Sequence, residues 1–169
     1  MTGPETVNSE RIRQKFGSFG IDVLETSAER RVSSLHSQER GGRVCRTYAV
    51  VEFNADVVGE LAEEHALVMA GRSIGAVFKG RGWTINKRHA RVDSVTLTSG
   101  DSAITALMRL EPPQQVALHA YVFEASKAGR VFEYAAITEL HHPRYLTAAD
   151  VRAIYGQPEP VYRGRATAG

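Results

Sequence analysis

Two long stretches rich in β-branched and aromatic residues, each doubling back around glycine, constrain this chain most. The first runs from Arg30 to Ser37, crosses Gln38-Glu39-Arg40-Gly41-Gly42 and returns as Val44 to Phe53. The second runs from Val116 to Glu124, crosses Ala125 to Gly129 and returns as Arg130 to Leu140. Glycine reaches positive φ without a Cβ clash, so runs of this kind separated by glycine turns read as antiparallel hairpins.

Helical patterns interrupt them. Asn8 or Ser9 caps a short helix through Glu10 to Phe16, ended by Gly17. Asn54 or Asp56 opens a helix to about Ala70, with Val57, Leu61, His65 and Val68 near one stripe and Gly71 closing it. Asp101 caps a short helix with Ile104, Leu107 and Met108 on its apolar side, and Pro112-Pro113 breaks it. Thr147 caps a last helix, Ala148 to Tyr155, before Gly156. Ile21 to Leu24, Ser73 to Phe78, Gly82 to Asn86 and Arg91 to Leu97 read as further short strands. The expectation is an α+β fold, a mostly antiparallel sheet with helices packed on it. At 169 residues it forms one domain, with 1–9 and 157–169 as loose tails.

Several function classes drop out. The net charge is +2, and basic residues sit beside acidic ones (Glu10-Arg11, Glu29-Arg30, Glu39-Arg40), as on a solvated surface, so no nucleic-acid partner is expected. No apolar run suits a secretory signal or a membrane span, which makes a cytoplasmic chain without membrane contact the expectation. Cys45 is the only cysteine, so no internal disulfide can form. Nothing in the sequence sets the oligomeric state.

Three charged residues on strand-like segments stand out: Arg31 and Arg46 on the arms of the first hairpin, and Glu139 near the end of the last strand. Guanidiniums hold carboxylates through paired N–H donors, and a nearby glutamate can move a proton, so the trio suits a small anionic ligand. With a turn centred on two residues, positions 31 and 46 fall on one face of the hairpin. A six-residue loop keeps that parity and sets them roughly 13 Å apart along the strand at about 3.3 Å per residue, a span fitting the two ends of a dicarboxylate. The alternative is a solvated face, with the arginines paired to Glu29 and Glu52. Glu139 stands either at a rim or, buried, as a proton donor with a raised pKa.

Adjacent His141 and His142 would point to opposite faces of a strand, and the other histidines show no ligand spacing, so no metal is expected. Cys45 beside Arg46 is either a quiet buried thiol or a nucleophile with a lowered pKa. Gly71-Arg72-Ser73-Ile74-Gly75 follows a helix rather than opening one, which rules out a P-loop; Gly75 instead permits a close backbone approach to ligand.

On these residues the chain resembles the chorismate lyase superfold, which includes chorismate pyruvate-lyases and ligand-sensing domains of some transcription regulators. Arg31 with its strand, Arg46-Thr47 across the glycine turn, the 56–70 helix with Gly71 to Gly75, and Thr138-Glu139-Leu140 followed by Pro143 carry the resemblance over most of residues 29–145. The turn glycines sit two residues later than in that family. The interval from Arg46 to Glu139 is longer than in the small bacterial enzymes, and Ile104 to Tyr145 is more similar to the sensor branch. The resemblance implies a chorismate lyase-like fold and a carbon–oxygen lyase of ubiquinone biosynthesis. Arg31 and Arg46 would hold the two carboxylates of chorismate, Ile74 and Gly75 would lie against it, and Glu139 would shuttle a proton as pyruvate leaves and 4-hydroxybenzoate forms. It implies no cofactor. A non-catalytic domain binding a small aromatic acid stays open beside it, as does a different α+β ligand fold built on a long central 56–70 helix.

Overall fold

A computed structural model describes residues 6–156. Its centre is one six-stranded antiparallel sheet. The strands are β1 (Gly20–Thr26), β2 (Arg30–Glu39), β3 (Gly42–Phe53), β4 (Thr84–Leu97), β5 (Gln114–Lys127) and β6 (Arg130–His141). Their order across the sheet is β1-β2-β3-β6-β5-β4, so two three-stranded meanders join edge to edge through the pairing of β3 with β6. The helices are α1 (Asn8–Phe16), α2 (Ala62–Met69), α3 (Ile74–Gly80), α4 (Ser102–Met108) and α5 (Ala148–Tyr155). None among the described residues is long and apolar enough to cross a membrane.

Both expected hairpins form, and β2–β3 turns tightly on Arg40-Gly41, Glu39 pairing with Gly42. Gly41 and Gly42 take φ of 86° and 125°, which a side-chain-bearing residue would reach only under strain. A bulge then passes the register from His36↔Cys45 to Leu35↔Thr47, leaving Arg46 as the extra residue.

Four expectations are corrected. Neither Asn8 nor Ser9 caps the first helix: both lie inside α1, whose N-cap Val7 makes no side-chain cap bond. The 56–70 helix is broken into a 3₁₀ turn, Val58–Leu61, and the short α2. Val57-Val58-Gly59 at its start combines β-branching with a glycine, both poor helix formers. Ser73 to Phe78 is a helix rather than a strand. Ser73 Oγ caps α3 by accepting from the Ala76 N–H, and Ile74, Val77 and Phe78 at i, i+3 and i+4 all face the core. The two segments read as strands around residues 82–97 are one strand, β4, kinked by a bulge between Arg88 and Arg91. The Gly17 and Thr147 signals hold: α1 ends on a left-handed Gly17, and Thr147 with Asp150 forms a capping box for α5. The 157–169 tail and most of the N-terminal one lie outside the described residues.

Antiparallel partners share a face. One face therefore carries Arg31, Leu35, Ala49, Val51, Ile137, Glu139 and Tyr121 together, under α1, α2, α3 and α5. Two apolar clusters fill this layer, one around Phe78, Val68 and Tyr134, the other around Ile12, Leu35, Tyr145 and Val151. Burying each large apolar side chain there contributes about 1.5–3 kcal/mol. The opposite face is covered by α4, whose Met108 packs with Cys45, Leu97 and Val116.

Candidate functional site

Between the two clusters the layer is not filled. A narrow cavity of about 60 Å³ lies on the sheet below the starts of α1 and α3. Its walls are mostly apolar: Leu35, Val51, Ile74, Ile85, Phe123 and Ile137 all contribute. Against them stand the polar side chains of Arg31, Glu139, Asn8, Lys87, Ser73 and Tyr121.

Arg31 is only 3% exposed. Its Nη1 donates to the carbonyls of Val68 (2.9 Å) and Arg72 (2.8 Å), which ties the guanidinium to the end of α2 and the link into α3. Its Nε is buried and has no hydrogen-bond partner among the described residues, and no carboxylate among them pairs with it. Burial pulls its pKa down, with Tyr134 opposing weakly, yet a guanidinium stays charged at any physiological pH. A cation taken out of water without a counter-charge is costly, and an entering anion would relieve that cost.

Glu139 is equally buried at 3%. Asn8 Nδ2 donates to its Oε2, and the Asn8 amide is itself held by the Tyr145 hydroxyl, which donates to Oδ1 at 2.6 Å. Oε1 has no hydrogen-bond partner among the described residues. Burial works to raise the Glu139 pKa, but His141, Lys87 and His119 with a pull from the Tyr121 hydroxyl outweigh it, and the net shift is downward. Glu139 is thus a carboxylate at neutral pH, a base rather than the acid with a raised pKa weighed from sequence.

Ile74 and Gly75, from the first turn of α3, also line the cavity. A Cβ on Gly75 would stand 2.9 Å from Val7 Cγ1, so the glycine lets α3 approach the start of α1, which roofs the site.

Arg46 is brought to the same sheet face but not into the cavity. It is 1% exposed, donates from Nε to Ser37 Oγ (2.9 Å) and from Nη2 to Glu39 Oε1 (2.5 Å), and stacks on the Phe16 ring 3.8 Å from its centroid. Its charge is spent on Glu39. Lys87 on β4 is the second cation in the cavity lining instead, its ammonium 4.0 Å from the centre of the Tyr155 ring. Cys45 is buried, its thiol pushed up to about 11 by burial, and carries no thiolate chemistry at pH 7.

No protein-family model, no curated protein and no solved structure matches the chain. What it can do is read from the cavity itself: it offers a buried, unneutralised guanidinium, an apolar slot, and a carboxylate base at the far side.

Sequence reasoning missed Asn8, Lys87, Thr47 and His119. His119 stands directly opposite Glu139 across β5–β6, and His141 shares the face of Glu139 two residues on. The Glu-Leu-His spacing was the available signal, since residues i and i+2 of a strand point the same way.

Proposed function

We propose that this chain binds a small, largely apolar carboxylic acid, with the acid's carboxylate on Arg31 and its body in the apolar slot. One observation carries the reading: Arg31 is buried at a cavity with its Nε unbonded and no carboxylate beside it among the described residues. Paired donors on a rigid planar cation match a carboxylate, and desolvation strengthens the contact. An aromatic acid such as 4-hydroxybenzoate fits the chemistry of the walls. Titrating the purified chain with 4-hydroxybenzoate and following its melting temperature tests this. Saturable stabilisation that depends on Arg31 supports it.

A second reading is favoured by Glu139 in the same cavity. It is the turnover implied by the resemblance to chorismate pyruvate-lyases, in which Glu139 carries a proton while pyruvate leaves and the ring becomes aromatic. With Arg46 committed to Glu39, the second carboxylate of chorismate would meet Lys87. Arg31-dependent release of pyruvate and 4-hydroxybenzoate in equal amounts from chorismate supports turnover; binding of the product without release leaves the sensing role of the same fold.

A further inference from the structure

His119, Glu139 and His141 converge on one point behind the cavity. Each offers one ligand atom, and the three atoms lie within 4.8 Å of one another. The residues are 0%, 3% and 1% exposed. Buried charged groups are paired, hydrogen-bonded or coordinated to a metal.

Three details bear on what that partner is. Glu139 Oε1 and His119 Nδ1 stand 4.0 Å apart, too far for a hydrogen bond. Two donors each about 2.0–2.2 Å from one ion stand roughly 3–4 Å from each other, so the three atoms, spread over as much as 4.8 Å, would draw in around an ion. His141 Nε2 and Glu139 Oε1 are buried and have no hydrogen-bond partner among the described residues. The other nitrogen of His141, Nδ1, is 2.8 Å from Thr47 Oγ1. A histidine that ligates a metal through one nitrogen is oriented through the other, commonly by such a second contact.

We propose that His119, Glu139 and His141 form a binding site for a transition-metal dication of the Zn²⁺ type. Two imidazoles and one carboxylate suit Zn²⁺, Co²⁺ or Ni²⁺ and disfavour Mg²⁺ and Ca²⁺, which need more oxygen donors. Three protein ligands leave a fourth position for water or another donor. Lys87, whose charge acts on both Glu139 and His141, opposes a second positive charge and limits the affinity. Arg31 plays no part, so this inference is independent of the acid-binding reading; an ion here would take Glu139 as ligand rather than proton carrier.

The test uses the chelator-stripped full chain, titrated with ZnCl₂ by calorimetry and with CoCl₂ by visible absorption. One ion per chain is expected, with a Co²⁺ d–d band typical of four or five N/O donors. Thr47→Val, which frees the His141 ring without removing a ligand, is expected to weaken uptake about 10–100-fold. Lys87→Gln is expected to tighten it, and Arg31→Met to leave it unchanged. Absence of stoichiometric uptake by the wild-type chain overturns the proposal, and so does uptake that survives in His119→Ala/His141→Ala. Should that double variant fail to fold, unchanged Zn²⁺ affinity in Thr47→Val and Lys87→Gln together overturns it equally.

Discussion

Arg31 and Glu139 sit on the same face of the sheet, two strands and two residues apart. Arg31 on β2 pairs with Val51 of β3, which pairs with Ile137 of β6, and Glu139 lies two residues further along β6. At about 4.8 Å per strand step and 3.4 Å per residue, their backbones are roughly 12 Å apart. The cavity lies between this buried cation and this buried base, over a floor made of Ala49, Val51 and Ile137.

Replacing Arg31 by Met separates binding from folding. Two charge-assisted hydrogen bonds to Val68 and Arg72 are lost, but so is the desolvation of an unneutralised cation, and an apolar chain of similar length fills the space. Thermal stability is expected to change little, while affinity for 4-hydroxybenzoate falls by about 2–3 kcal/mol, read by calorimetry.

Arg46→Ala is expected to do the reverse. Its contacts to Phe16, Ser37 and Glu39 are structural, and losing the stack and the charged hydrogen bonds costs about 2–4 kcal/mol in a denaturant titration. Affinity for the acid stays within twofold. A large affinity loss in a folded Arg46→Ala would restore the two-arginine grip expected from sequence.

Gly75→Ala places a methyl against Val7, 2.9 Å from Cγ1, and pushes the start of α1 off the cavity. Destabilisation of about 1–3 kcal/mol with weakened ligand binding is expected. Adding Val7→Ala makes room for the new methyl, and a double-mutant cycle of melting temperatures should show recovery of part of the loss.

Stability should fall as the medium is acidified from neutral. Burial holds His141 and His142 down to about 4 in the fold, against 6.5 for a free imidazole. Between those values the unfolded chain binds more protons, so the contribution is complete above about pH 6.5 and is lost as pH drops toward 4. Glu139, also shifted downward, adds its loss only below its ordinary 4.5. Urea titrations at neutral pH and near pH 5 should show the drop, and His141→Gln should shrink it. A flat profile contradicts the buried neutral histidines.

The two hairpins, their antiparallel pairing and the α5 cap were readable because each rests on local signals: β-branched and aromatic runs, glycine turns and a Thr147 capping box. The cluster at Glu139 was not, because its register turns on a bulge. Without the irregularity between Phe123 and Glu124, Thr138 rather than Glu139 would face His119. The β2–β3 bulge likewise sets Arg46 aside as an extra residue and lets it turn toward Glu39. Ile74 to Phe78 is a short apolar run that period alone cannot assign, and the Ser73 cap decides it for helix. Arg31 and Glu139 were legible as charges on strands; that one cavity holds both was a matter of packing.

The most direct measurement is the melting temperature of the wild-type and Arg31→Met chains across a 4-hydroxybenzoate titration. A saturable rise in the wild type that vanishes in Arg31→Met is the predicted result. No rise in the wild type, or an equal rise in both, would contradict a carboxylate site at Arg31.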